Sequence, residues 1–161
     1  MLYLLDANTL IRANADYYPI GRIPQFWNWL IACGEAGRVK IPNEIADEVT
    51  AGRDDVADWL KGADAKAALR LGERVEVASL RHVVANGYAP DLDATEMQKI
   101  GKDPFLVAYA LGKTDRTVVT KELSKPSKLR ANRKVPDVCD SCRVTWLDDF
   151  GFYRSADFRI T

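Results

Sequence analysis

Histidine, cysteine, long apolar runs and net charge are all scarce in this chain. One histidine and three cysteines stand among its 161 residues. A tetrahedral zinc site needs three or four ligands, which His82 and the scattered Cys33, Cys139 and Cys142 do not supply unaided. Three unevenly spaced cysteines also exclude the disulfide framework of a small secreted domain. Cys139-Asp140-Ser141-Cys142 has the spacing of half a zinc site or a redox pair, but without partners its thiols read as small apolar side chains. The longest uncharged apolar stretch, Pro104 to Leu111, falls far short of the ~20 residues that span a bilayer. No basic region precedes the short apolar run Leu2 to Leu5, so no signal peptide is visible and a cytoplasmic protein with no membrane partner is expected. Lysine plus arginine, 23, equals aspartate plus glutamate, 23, so no global field recruits a polyanion.

Charge is segregated locally instead. Arg38 to Asp58 holds Glu44, Asp47, Glu48, Asp54, Asp55 and Asp58, whereas Lys113 to Lys134 holds eight basic residues against Asp115 and Glu122. An apolar content of 47% over this length is enough for one sizeable core, and no repeat, low-complexity block or linker divides the chain, so residues 1–161 read as one domain.

Leu2 to Leu5 is a continuous apolar run ending in an acid, the pattern of a strand buried on both faces. Ile23, Phe26, Leu30 and Cys33 recur at helical spacing before Gly34, which predicts a helix with a glycine stop. Val39 to Ile41 reads as a second strand. Pro42-Asn43 opens a helix that buries Ile45 and Val49 and ends at Gly52, and Val56, Trp59 and Leu60 continue the helical pattern. Ala63 to Leu71 is alanine-rich and helical in character, while Val75 to Leu80 suits a strand or a helix equally. Asp103-Pro104 reads as an N-cap and first-turn proline for an apolar helix from Phe105 to Leu111, stopped by Gly112. Thr117 to Thr120 is a β-branched strand, Lys121 to Lys134 a basic loop and Val144 to Leu147 a last strand. Strands alternating with helices predict a three-layer α/β/α sandwich around a mostly parallel central sheet.

In such sheets functional groups gather beyond the carboxyl ends of the strands. Asp6 follows the first strand, Glu48 lies on the helix after the second, Glu122 follows Thr117 to Thr120, and Asp103 opens the helix leading into that strand. At ~100° per residue, Glu48 flanks the stripe of Ile45 and Val49 and can face a cleft; Glu44, one turn earlier, is the second choice. Four clustered carboxylates raise one another's pKa and cost stability unless a cation joins them. Magnesium suits such a loose cluster, because it takes one or two carboxylates, keeps several waters and accepts substrate phosphate oxygens. Asp103 would also serve as a plain helix cap, Glu48 and Glu122 as solvated side chains, and Lys121 to Lys134 as a solvated loop.

The run Tyr3-Leu4-Leu5-Asp6-Ala7-Asn8-Thr9-Leu10-Ile11 resembles the opening strand and aspartate of PIN domains. Val39-Lys40-Ile41-Pro42 through Glu48-Val49 resembles the segment bearing their second acid. Lys102-Asp103-Pro104-Phe105-Leu106-Val107-Ala108-Tyr109-Ala110, followed by Val118-Val119-Thr120, resembles the third acid, its helix and the strand ending in threonine. The resemblance covers Leu2 to about Leu147. It departs at Glu122, where PIN domains usually carry aspartate, and Val135-Pro136-Asp137-Val138-Cys139 resembles a toxin-like PIN branch.

The resemblance implies a magnesium- or manganese-dependent endoribonuclease, often the VapC-type toxin of a toxin–antitoxin pair. Asp6 and Asp103 would ligate the metal; Glu48 would ligate it or orient the water, and Glu122 would complete the site. Asn8, Thr9 and Thr120 are candidate donors that hold the carboxylates or the phosphate. Lys121, Lys125, Lys128, Arg130, Arg133 and Lys134 would grip the RNA. The aromatics Tyr17, Tyr18, Trp27 and Trp29, together with the family's habits, imply a homodimer or a surface covered by a cognate antitoxin. A haloacid-dehalogenase-like phosphatase would need a second aspartate where Asn8 stands. A phospho-acceptor receiver domain, suggested by Thr120 and Lys125, lacks its early acidic pair. A catalytically inactive PIN-like module that binds RNA or a protein is the strongest rival, and metal-dependent RNA cleavage separates the two.

Overall fold

In a computed structural model describing residues 1–161, the apolar run Leu2–Leu5 is strand β1, at the centre of the sheet. It pairs in parallel with β2 (Val39–Lys40) through Tyr3↔Val39 and with β3 (Arg116–Val119) from Leu2↔Arg116 to Leu5↔Val119. The two-residue β4 (Trp146–Leu147) joins β3 in parallel, so the order is β2-β1-β3-β4. With neighbours on both sides and helices above and below, Leu4 and Leu5 are fully buried, the environment that a continuous apolar strand requires.

Ten helices flank this sheet and complete a three-layer α/β/α sandwich, as expected. They are α1 (Ala7–Arg12), α2 (Pro24–Glu35), α3 (Asn43–Thr50), α4 (Asp55–Lys61), α5 (Ala63–Leu69), α6 (Val77–His82), α7 (Ala94–Ile100), α8 (Asp103–Ala108), α9 (Val135–Ser141) and α10 (Asp149–Ser155). The ambiguous Val75 to Leu80 segment is helical, and α6 widens into a π-helical turn over Val83–Tyr88, as α1 does over Ala13–Tyr17. One contiguous cluster of 40 buried residues fills the interior. No helix is long and apolar enough to cross a membrane.

Three sequence expectations change. Gly34 does not stop α2; it is buried inside the helix, where a Cβ would lie 2.6 Å from the Ala68 carbonyl oxygen of α5. The helix ends at Glu35 and the chain turns at Gly37, whose φ of +72° is the left-handed conformation that glycine adopts without strain. Second, Asp103 is the first residue of α8 and not its N-cap, which is Lys102, and its side chain makes no capping hydrogen bond. Third, the aromatics that suggested an interface face one another inside the chain. Tyr18 stacks on Phe26 at 4.5 Å between ring centroids and meets Tyr153 and Phe158 edge-on, and Trp29 packs on Phe158 at 4.8 Å. Trp27 is buried and donates its indole N–H to the Tyr18 carbonyl at 2.7 Å. Trp27 is thus spent on internal packing, and Tyr17, Tyr18 and Trp29, half-buried, contribute one side to it.

Candidate functional site

From β1 the chain crosses to β2 on one side and later returns as β3 on the other. Such a switch of direction opens a crevice beyond the carboxyl ends of the two central strands. The register carries Asp6 into it beside Thr120. The Asp6 amide donates to the Val119 carbonyl at 2.9 Å, and the Thr120 hydroxyl donates to Asp6 Oδ2 at 2.8 Å. Asp6 is only 5% exposed. Burial pushes its pKa up to about 6 against the Thr120 hydrogen bond, and the negative charges of Glu122 and Glu48 raise it further.

Thr120 binds this carboxylate directly, and Asn8 stands behind Thr120. The Asn8 amide nitrogen donates to Thr120 Oγ1 at 3.4 Å, and its oxygen accepts the Lys121 amide at 2.9 Å, which fixes the exit of β3. Thr9 departs from expectation: its hydroxyl donates to the Val119 carbonyl at 3.3 Å and so stitches α1 to β3 instead of serving the acid.

Asp103 reaches the same place from α8. Its carboxyl is pushed up to about 8, first by burial, then by Asp6, Glu122 and Glu48, with Lys134 opposing. Glu48 is exposed on α3 yet acts through its charge on both Asp6 and Asp103. Its neighbour Glu44 turns elsewhere and accepts from the Tyr109 hydroxyl at 3.1 Å. Glu122 is tied into the scaffold. Its Oε2 accepts the Val135 amide at 2.7 Å, satisfying an orphan donor of the first turn of α9, and its Oε1 lies 4.0 Å from the Lys134 ammonium.

Can these groups hold a metal? No three of the acid, histidine and cysteine side chains stand together as a ready cage. Asp6 is nonetheless buried and Asp103 half-buried, both carboxyls are raised by burial, the charge of Asp6 raises Asp103 further, and Lys134 is the one cation that opposes. Two carboxyls lacking a neutralising cation fit a hydrated magnesium or manganese ion, which needs one or two protein carboxylates and keeps waters on its other positions. Glu48 and Glu122 are placed to influence such an ion by charge. His82 is exposed and faces Asn86, and Cys139 and Cys142 are buried thiols whose pKa is raised by burial, so neither belongs to the site.

The basic tract divides. Lys121 turns away from the acids: its ammonium pairs with buried Asp149 at 3.0 Å and lies over the rings of Tyr17 and Phe150. Arg130 is clamped by Glu96 and Asp91, and Arg133 donates to the Gly87 and Asp137 carbonyls. These three therefore act as scaffold, and the expectation that they grip RNA directly is corrected. Lys125 and Lys128 are exposed, and Lys134 faces Glu122 only loosely.

Two acids given no role of their own from sequence hold this loop. Buried Asp137 accepts from the Ser124 hydroxyl at 2.5 Å and the Lys125 amide at 2.8 Å. Buried Asp149 anchors Lys121. The Val135 to Cys139 motif is thus a structural clasp: Val135 binds Glu122, Asp137 binds the loop, and Val138 lies where a Cβ on Gly87 would meet it at 2.6 Å.

The fold is thus a parallel α/β/α sandwich with buried Asp6 and half-buried Asp103 beyond the strand ends at its switch point, the place where open sheets gather functional groups. The family model described as "Domain of unknown function (DUF4411)" matches residues 3–160, so the chain belongs to the DUF4411 family. No curated protein and no solved structure matches the chain.

Proposed function

We propose that this protein is a PIN-like, magnesium- or manganese-dependent endoribonuclease that hydrolyses RNA phosphodiesters. The observation that carries the proposal is buried Asp6 placed where its charge raises the pKa of half-buried Asp103, beyond the point where the central strands of a parallel sheet switch direction. A bound divalent ion would supply Lewis acidity at the phosphate and activate water for attack, so that no histidine or covalent nucleophile is needed. Thr120 and the backbone of β3 hold Asp6 in place, and Asp103 approaches from the start of α8. Glu48, exposed at the mouth, is suited to orient a water, whereas Glu122 acts mainly by holding α9 and the basic loop.

The assembly expected of this activity is a toxin held by an antitoxin protein. With the aromatic cluster turned inward, the groove formed by Leu80, Val84, Ala85, Ala89, Pro90 and Met97 offers the partner an apolar surface. The rival reading, an inactive PIN-like module, draws support from Glu122, whose carboxylate is engaged by the Val135 amide.

Incubation of the purified protein with an RNA panel and Mg2+ or Mn2+ separates the two. Cleavage by the wild type, lost by at least a hundredfold in Asp6→Asn and in Asp103→Asn with unchanged circular dichroism, is the expected result. Absence of cleavage across the panel, or cleavage by Asp6→Asn at the wild-type rate, defeats the proposal.

A further inference from the structure

Next to Asp103 and Glu122 a cavity of about 250 Å³ opens, walled by Lys99, Lys128, Lys134 and Arg133 with Tyr88 among its lining residues. Four cations against two carboxyls leave this cavity with an excess of positive charge. The cations are differently engaged. Arg133 is fixed by backbone carbonyls, so its charge is immobilised but not neutralised. Lys99 donates to the neutral side-chain oxygen of Asn132, Lys134 stands 4.0 Å from Glu122, and Lys128 is in no ion pair.

Tyr88 supplies a second observation, because among the buried side-chain groups that lack a partner it alone lines this cavity. It is 7% exposed, and its hydroxyl is shielded from solvent with no hydrogen-bond partner. A buried tyrosine hydroxyl normally finds a partner, because leaving one unmade costs free energy. Burial and the charges of Asp103 and Glu122 hold the phenol in its protonated form, so it keeps a proton to donate. The chain presses Tyr88 firmly into this position: it ends the wide turn Val83–Tyr88, and Gly87 just before it lies against Val138 of α9. The donors around the cavity are ammonium groups, with one phenol closed off just behind its wall that a small side-chain shift would open to a ligand, a set that suits a group with only acceptor oxygens. The volume lies below the roughly 300 to 1,000 Å³ typical of pockets for drug-sized ligands, which suits a small ionic group.

We propose that this cavity is a phosphate subsite, in which Tyr88, Lys99, Lys128 and Lys134 hold one phosphate of the nucleic-acid strand beside the paired acids. It rests on the nuclease reading only for the identity of the strand; the phosphate site itself stands on the cavity. The acids and the cations thereby divide the work, the former taking the metal and the latter a phosphate adjacent to the one attacked.

The test is binding in the presence of a chelator, so that no metal bridges the ligand. Inorganic phosphate, a nucleoside 5′-monophosphate and the corresponding nucleoside are titrated by calorimetry and ³¹P NMR. Phosphate and the monophosphate should bind and the nucleoside should not. Tyr88→Phe, which removes only the hydroxyl, should weaken phosphate binding about tenfold while the melting temperature holds or rises, since a hydrogen bond to a charged group is lost and an unpaired hydroxyl is removed. Lys128→Ala with Lys134→Ala should weaken it more and flatten its dependence on salt. An oligonucleotide with a 5′-phosphate, compared with its 5′-hydroxyl form, shows whether the phosphate is terminal or internal; either supports the subsite. Wild-type protein that binds no phosphate, or variants that bind it as the wild type does, overturns the subsite even if RNA is cut. Tyr88-dependent binding without RNA cleavage keeps the subsite and removes the nuclease.

Discussion

The ammonium of Lys121 sits between a carboxylate that is 1% exposed and two aromatic faces, a position its sequence context does not announce. Removing one partner of a buried pair leaves the other charge stranded, so Lys121→Ala should cost about 3 kcal/mol in urea unfolding. Lys121→Met with Asp149→Leu should recover most of that loss, and a cost below about 1 kcal/mol for the single variant would mean the pair behaves as an exposed one. At this scale sequence carries Asp6, Asn8 and Thr120 well, because an acid ending a buried strand has few neighbours to meet. Asp149 and Asp137 escape notice because their partners, Lys121 and Ser124, lie 28 and 13 positions away and nothing local distinguishes them from solvated acids. Arg130 and Lys128 look alike in sequence; only the fold hands one to Glu96 and leaves the other free.

Among the elements, α2 shows how one atom fixes a packing distance. Alanine in place of a mid-helix glycine is ordinarily worth up to ~1 kcal/mol of added stability. At Gly34 the sign should reverse, because the new methyl would lie 2.6 Å from the Ala68 carbonyl oxygen and 2.8 Å from Leu69 Cδ2. Gly34→Ala should therefore destabilise by about 2 kcal/mol, as overpacked cores do, read as a lower urea midpoint at unchanged slope. An unchanged or raised midpoint would mean that α5 shifts freely. Lys40 argues against that, since its ammonium donates to both the Gly34 and Ala68 carbonyls and ties the two helices. Apolar periodicity locates α2, α3, α4, α5 and α8, whose faces are buried, and the continuous apolar run locates β1. It says little about Val75 to Leu80, because no residue of α6 is fully buried and no stripe stands out. Glycine is read as a terminator from sequence since a close helix contact and a helix end leave the same mark there.

The molecule as a whole carries a pH dependence set by Asp6 and Asp103. Both ionise near 3.8 when unfolded but at about 6 and about 8 when folded. Between these values the native state retains protons that the unfolded chain has released, so their contribution is full below about pH 4 and is lost as pH rises through 6 and then 8. Without divalent ions, thermal stability should fall across that window, and Asp103→Asn, which cannot ionise, should flatten the fall. Magnesium should raise the melting temperature at pH 8 more than at pH 5, where protons occupy the same oxygens. Identical magnesium responses at both pH values, or none, would remove the cation from Asp6 and Asp103. The sandwich and its parallel sheet are legible from the alternation of strands and helices, whereas the cavity beside the acids is not. It is assembled from Tyr88, Lys99, Asp103 and the 122–134 stretch, four parts that meet only in the folded chain.

The central strand has a further consequence in time. Asp6 is synthesised first, and the threonine that orients it lies 114 residues downstream. At ~5 to 20 residues per second, roughly 6 to 23 s of synthesis separate the two halves of the site. Contacts of such long range are also the slow ones to form. A nascent chain therefore carries Asp6 without the threonine that orients it until those 114 residues have been made, so whatever the completed centre does is withheld until the second half of the sheet is added.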